Sequence, residues 1–383
     1  MAVAPSAVPM PLLLIPCSYR SRASIVHIPS KHPRHATAQQ DNRDSAPDAA
    51  DSTTPSPVPP APINAGSLVV FYADHWVVPL PEKHRFPMLK YSATRNALAN
   101  DPSLSHRLEL RPGPGATVSE VCAVHDAEYV QRFTSGHMTA DEMRNVGFPW
   151  SEELVGRTFA STGATVAATR LVLTHGCGIA ANVAGGTHHA FRDRGEGFCV
   201  FNDIAVAATV AMKEFQLTRV LVLDLDVHQG NGTAAIFQDE PRVVTFDMHG
   251  AGNYPWRSRM TNTYDIGLAD GCKDAEYLAV LSERLPLLHA THQPQLIFFQ
   301  AGVDPLEADS FGRLSLTRAG LNQRNNMVYS YALEHNVPLV ITMGGGYTRP
   351  PDATIEAHTD VYRTAAYRVH AWAHEAEQRK GQQ

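Results

Sequence analysis

One stretch constrains this chain more than any other. The apolar run Arg219-Val220-Leu221-Val222-Leu223 passes directly into Asp224-Leu225-Asp226-Val227-His228 and then into Gln229-Gly230-Asn231-Gly232. Continuous rather than alternating hydrophobicity marks a strand buried on both faces, as in a parallel sheet covered by helices. Similar runs occupy residues 242–246, 295–299 and 337–342, with an earlier one at 67–72. Helical patterns fall between them. Ser151 ahead of Glu152 and Glu153 is a hydroxyl cap followed by acids suited to a helix start, and Gly176 is the matching stop. Further helices are expected at 203–214, 274–289 and 317–334. Alternating strands and helices predict an α/β fold with a single open, mainly parallel sheet and helices on both faces. In such sheets ligands bind beyond the carboxyl ends of the strands.

The chemistry-bearing residues fall there. Side chains alternate along an extended chain, so Asp224, Asp226 and His228 are expected on one face. Three ionisable groups on a buried strand are costly unless a cation compensates them. Gln300-Ala301-Gly302-Val303-Asp304 ends another strand and offers a further carboxylate. Asp226, His228 and Asp304 would make three protein ligands and leave a fourth position for water, the pattern of a catalytic zinc. Gly185-Gly186-Thr187-His188-His189 delivers adjacent imidazoles suited to general-base work. Gly344-Gly345-Gly346-Tyr347 follows the last strand and brings a phenol able to hydrogen-bond a developing oxyanion. Taken singly, each motif has a plainer reading. An acidic strand end binds a ribose or caps a helix, a His pair is commonplace, and a glycine loop holds phosphate or simply turns. Their succession at consecutive strand ends favours one shared site. Cys177 and Cys199 are read as packed apolar residues, and His335, His358 and His370 as solvated surface groups.

From Phe71 to Thr364 the chain resembles the zinc-dependent histone deacetylase superfamily of the arginase–deacetylase fold, in a class IV-like plant and bacterial branch. The resemblance rests on GGTHHAFRDRGEGFCVFND (185–203), LDLDVHQGNG, AGVD and GGGY in that order, with His84-Arg85-Phe86-Pro87-Met88 ahead of them. It implies removal of acetyl groups from acetyl-lysine in proteins, with deacetylation of small N-acetylated amines (polyamine or arylalkylamine type) as the alternative. By resemblance, Asp226, His228 and Asp304 hold one Zn2+, His189 is the general base, His188 its electrostatic partner, Asp224 the support of His188, and Tyr347 the carbonyl-polarising donor. Gly197, Phe198 and Tyr254 would line the acyl channel. A structural K+ would lie among Asp224, Asp226, His228, Asp247 and Met248. Two departures stand out: Asn231 where many relatives have an Asp behind the second imidazole, and His228-Gln229 rather than His-His. Rival readings are a two-manganese ureohydrolase, which needs more carboxylates in the metal motifs, and a catalytically silent acetyl-lysine binder.

The first 65 residues have a different composition. Met1 to Gln40 contains no acid but has Arg20, Arg22, Lys31 and Arg34 among serines, and residues 41–62 are rich in Pro, Ser, Asp and Ala. Residues 1–65 are therefore expected to be a transit peptide and disordered linker, 66–375 the catalytic domain, and 376–383 a disordered tail. A plastid address is expected, with mitochondrion or cytosol as alternatives. A net charge of -6 and the lack of any Lys/Arg run exclude nucleic acid as a directly bound partner. No apolar run approaches the roughly 18 residues of a membrane helix. Five cysteines without CxxC spacing exclude a Cys-type zinc site. Oligomeric state is not legible.

Overall fold

The computed structural model describes residues 66–176 and 178–381; the expected leader and Cys177 lie outside the described residues. In chain order the strands are β1 (Leu68–Tyr72), β2 (Leu108–Pro112), β3 (Ile179–Asn182), β4 (Val220–Asp224), β5 (Val243–Gly250), β6 (Tyr264–Leu268), β7 (Leu296–Gln300) and β8 (Leu339–Thr342). The helices are α1 (Lys90–Ala99), α2 (Val118–Cys122), α3 (Ala127–Thr134), α4 (Ala140–Val146), α5 (Glu152–His175), α6 (Asp203–Glu214), α7 (Asn231–Phe237), α8 (Asp274–His292), α9 (Arg318–Glu334) and α10 (Asp352–Gly381). The strands form one sheet in the order β2-β1-β3-β8-β7-β4-β5-β6, and every pairing is parallel.

The uninterrupted apolar runs are explained by two cores. Along β4, Leu221 and Leu223 enter one core while Val220 and Val222 enter the other; β7 divides Ile297 and Phe299 from Leu296 and Phe298 in the same way. Helices α5 and α6 cover the second face with Ala164, Leu171, Ile204 and Val206. The first face is covered by α8, α9 and α10 through Tyr277, Leu281, Val328 and Val361. The expected α/β architecture is the one observed.

Local signals also act as expected. Ser151 Oγ accepts from the Leu154 amide, and Gly176 ends α5 in the left-handed region at φ 58°. The edge strands β2 and β6 are half-buried and carry Glu109, Arg111 and Asp265, so no apolar run announces them. β3 has four residues, two of them alanine. Helix α10 continues to Gly381, through most of the segment expected to be a disordered tail. No helix among the described residues is long and apolar enough to cross a membrane.

Candidate active site

Because the sheet is parallel, the chain leaves β3, β4, β5, β7 and β8 at one edge, where the motif residues gather. The residues after β4 are not extended, contrary to the strand alternation expected from the sequence. The strand ends at Asp224; Asp224 Oδ1 then accepts from the Asp226 amide (3.2 Å) and Asp226 Oδ1 from the His228 amide (3.0 Å). Two successive Asp-centred turns coil the chain and bring the side chains together.

His228 Nδ1 lies 3.1 Å from Asp226 Oδ1 and 3.1 Å from Asp304 Oδ2. The remaining oxygens are tied to backbone: Asp226 Oδ2 accepts from Gly345 N–H (2.7 Å) and Asp304 Oδ1 from Val227 N–H (2.9 Å). Each carboxylate thus turns one oxygen inward. Bonds of about 2.0–2.1 Å to a tetrahedral cation place neighbouring ligand atoms ~3.3 Å apart, close to the spacing seen here. All three residues are buried. Burial alone would keep His228 neutral, but the two carboxylates outweigh it and raise its pKa to about 10. The backbone of the glycine loop comes close; a Cβ on Gly345 would stand 1.8 Å from Asp304 Oδ2.

The imidazole pair is set by an anchor that carried no assigned role. Asp203, fully buried at the start of α6, accepts from Gly186 N–H (3.0 Å), Thr187 N–H (2.8 Å) and the Thr187 hydroxyl (2.6 Å). Gly186, at φ 80°, leaves no room for a side chain, since its Cβ would meet Gln300 Oε1 at 2.1 Å. His188 Nδ1 contacts Asp224 Oδ2 at 2.7 Å, and its Nε2 faces Asp226 Oδ1 at 4.0 Å. Burial opposes charge on His188, yet Asp224 and Asp226 raise its pKa to about 9. His189 Nδ1 meets Asn231 Oδ1 at 2.8 Å. Burial, then His188 and His228, hold the His189 imidazole well below the usual range, so it is neutral and able to accept a proton.

Tyr347 packs its ring against Phe311 (4.8 Å) and Phe198 (6.3 Å), with His228 6.3 Å away. Burial and the carboxylates of Asp304 and Asp226 push its phenol well above the usual value, so it remains a donor. Its amide is held by Asp309 Oδ2 at 2.6 Å. Tyr254 stands edge-on to His189 at 5.0 Å. Gly197 and Phe198 both take positive φ, 57° and 66°, and are pinned by hydrogen bonds to the Asn145 and Val146 carbonyls. A non-glycine residue in that region is strained, and the pinning holds the Phe198 ring at the cavity wall. Gly197, Phe198, Tyr254, His189, His228 and Tyr347 share one cavity of about 770 Å3 open to the surface.

Three supports are illegible in the sequence. Lys90, 1% exposed, donates to the Gly344 and Gly346 carbonyls (3.0 and 3.4 Å) with its Nζ 4.9 Å from the Tyr347 ring centre. Arg324, fully buried, reaches from α9 to the carbonyls of Leu225 (3.2 Å), Gly302 (2.7 Å) and Ala301 (3.4 Å). His358 was expected at the surface and is instead wholly buried under the glycine loop, where a Gly346 Cβ would lie 2.8 Å from its Nε2. The spacing of apolar residues along α10 does not distinguish a buried imidazole from an exposed one. His335 is exposed and Cys199 is buried, as expected.

A second Asp/His/Asp group lies one strand away. His249 Nδ1 is 2.7 Å from Asp247 Oδ1 and 3.8 Å from Asp265 Oδ1. Asp247 is the register partner of Asp224, and its Oδ2 accepts from Gly230 N–H at 2.7 Å.

A buried carboxylate–imidazole centre with a neutral base and a phenol beside it, at the carboxyl edge of a parallel sheet, defines the class: a hydrolase. The chain belongs to the histone deacetylase domain family, whose model matches residues 84–364, and with it to the arginase–deacetylase fold. It is 38% identical over 301 residues to an uncharacterized protein of Picosynechococcus sp., covering 78% of this chain and 98% of that one. Histone deacetylase 2 of Arabidopsis thaliana is 31% identical over 275 residues, 70% of each chain. A crystal structure of an HDAC homolog complexed with SAHA superposes with a TM-score of 0.66 at 24% identity, over 78% of this chain and 84% of that one, a likeness of fold.

Proposed function

We propose that the chain is a zinc-dependent deacetylase acting on acetyl-lysine in proteins. One observation carries this reading: the Asp226, His228 and Asp304 donor atoms sit at metal-ligand spacing, and His228 lines the cavity shared by His189 and Tyr347. Two carboxylates and one imidazole, each buried, suit zinc and leave a position for water. When bound there, zinc lowers the pKa of water towards about 7 and acts as a Lewis acid on the acetyl carbonyl. His189, its Nδ1–H donated to Asn231, takes up the proton at Nε2 and returns it to the leaving lysine amine. Tyr347 donates its phenolic hydrogen to the carbonyl oxygen as charge develops there. His188, held by Asp224, supplies positive charge beside the reaction without changing partners. Phe198 and Tyr254 flank the apolar lysine stem, and Gly197 keeps the wall thin between them. The paired carboxylates of Asp224 and Asp247, buried on neighbouring strands, are the proposed seat of a potassium ion, with Asp226, His228 and Met248 around it.

The mouth of the cavity favours a particular substrate context. Among the described residues, Lys83, Arg85, Arg144 and Arg313 line it, and no carboxylate does. Arg144 and Arg313 pair with Asp141 and Asp270, which leaves Lys83 and Arg85 as the lining cations without an ion pair among the described residues. An acetylated polyamine or a Lys/Arg-rich tail meets repulsion there. Acetyl-lysine in less basic proteins does not. The acid-poor leader fits a plastid enzyme, whose substrates would be non-histone proteins. Turnover should be compared, with and without a chelator, across acetyl-lysine peptides with acidic or basic flanks and an acetylated polyamine. Chelator-sensitive activity on peptides, highest with acidic flanks, is expected; preference for the polyamine, or activity indifferent to metal, would overturn the reading.

A further inference from the structure

Asn231 leaves the proposed base without a carboxylate of its own, and the structure shows where one has gone. His188 touches Asp224 directly, whereas His189 touches an amide. On the far side of that amide, Asn231 Nδ2 donates to Glu196 Oε1 at 3.1 Å and to the Ser258 carbonyl at 3.0 Å. Both are acceptors only, so the amide nitrogen must face them and the amide oxygen must face His189. The oxygen in turn requires a proton on His189 Nδ1 and leaves Nε2 bare towards the cavity. A reversed amide would place the proton on the wrong ring nitrogen for a base.

Glu196 is unusually well held for a loop carboxylate. Its amide and carbonyl both bond Cys199 (3.0 and 2.9 Å), and Gly197 and Phe198 after it are fixed in the left-handed region. Oε1 also accepts from the Tyr254 hydroxyl (2.5 Å) and the Ser258 hydroxyl (2.5 Å). All three donors are neutral. Among the described residues no Arg, Lys or His forms an ion pair with Glu196. Its charge is therefore uncompensated at rest, one amide away from the imidazole that becomes cationic when it takes a proton. Hydrogen bonds in a chain polarise one another where the dielectric is low.

We infer that Glu196 is a positioning residue for the base, acting through Asn231 to fix the His189 tautomer and to supply, at one remove, the negative charge that a directly bound carboxylate would give. This rests on the deacetylase reading for its catalytic consequence, though not for its geometry. The same Oε1 clamps Tyr254, so one carboxylate sets both the base and the channel wall beside it.

The test is a charge relocation in the full-length, metal-loaded chain on an acetyl-lysine peptide. E196Q keeps the shape and removes the charge; kcat should fall about 10-fold with KM little changed, in the range seen when outer partners of a metal site are lost. N231D/E196Q moves the carboxylate into direct contact with His189, with the new Gln amide donating to it, and should return kcat to within a few-fold of the parent. E196D, which keeps the charge, should lose less than E196Q. Unchanged kcat in E196Q, or a loss that N231D does not recover, would show that Glu196 merely anchors Tyr254 and Ser258. A second readout is independent of turnover. In 15N-histidine spectra, His189 should carry its proton on Nδ1, and that resonance should move upfield in E196Q and downfield in N231D/E196Q. A parent protonated on Nε2, or a resonance indifferent to both changes, overturns the proposal even if the chain deacetylates nothing; a parent that turns over no acetylated substrate while the resonances shift overturns only the functional reading.

Discussion

Two neighbouring strands end in the same short pattern, Asp226-Val227-His228 after β4 and Asp247-Met248-His249 within β5, and each gathers a second aspartate from elsewhere. The outcomes differ. Around His228 the two carboxylate oxygens are equidistant at 3.1 Å and their partner oxygens are occupied by backbone amides, so both inward oxygens face the imidazole nitrogen at the spacing of a shared cation. Around His249 one contact is a 2.7 Å hydrogen bond and the other a 3.8 Å gap. Asp265 is exposed and its Oδ1 is taken by the Gln229 amide at 2.8 Å and the Asn262 amide at 3.3 Å. The residue types and the Asp-x-His pattern in sequence are the same in the two groups. What separates them is how each spare oxygen is employed and whether the cluster opens onto a cavity. The second group reads as a hydrogen-bonded brace under the loop that carries Gln229.

That contrast is open to attack by mutation. The largest effect is expected for H228A and D304N, which should reduce bound zinc from one per chain to nearly none and activity to background, while H249Q and D265N retain one ion. Metal analysis after dialysis decides the matter, and an ion lost from H249Q but kept by H228A would invert the comparison. Next, Y347F should lower kcat by roughly 10²- to 10³-fold with metal content intact, the usual cost of one oxyanion donor. D224N, which strips His188 of its partner, should cost about 10- to 100-fold in activity or metal affinity. The smallest effect is a slope. In the metal-free chain the Asp226 and Asp304 carboxylates keep His228 protonated up to about pH 10, and a metal must displace that proton. Apparent zinc affinity should therefore rise with pH, about tenfold per unit between roughly pH 7 and 9, by competition titration. A flat profile would mean that His228 enters the site already neutral.

The sheet was largely legible because β4, β5, β7 and β8 are buried on both faces, and burial writes itself into sequence as unbroken apolar runs. β2, β3 and β6 were not, since edge strands with charged faces and a four-residue strand with two alanines lack that signature. At the site, the motif residues were readable from their place after strands, although Asp224, Asp226 and His228 converge by Asp-centred turns and not by strand alternation. The supports were not readable. Lys90 and Arg324 find their partners among backbone carbonyls far away in sequence, and Asp203 among backbone amides. A side chain's spacing says nothing about such partners. Glu196 was visible only as a letter within a motif, because its relation to Asn231 exists only once both loops are folded.

Arg324 has a consequence for how the site is lost. A single guanidinium holds carbonyls from the loop after β4 and from the loop after β7, so neither ligand loop can open without stranding a buried charge that the other still needs. The two loops should therefore behave as one cooperative opening unit. Their amides would exchange with solvent hydrogen at a common rate, close to that of α9, and a chain that has lost Asp226 from its place will have lost Asp304 in the same event.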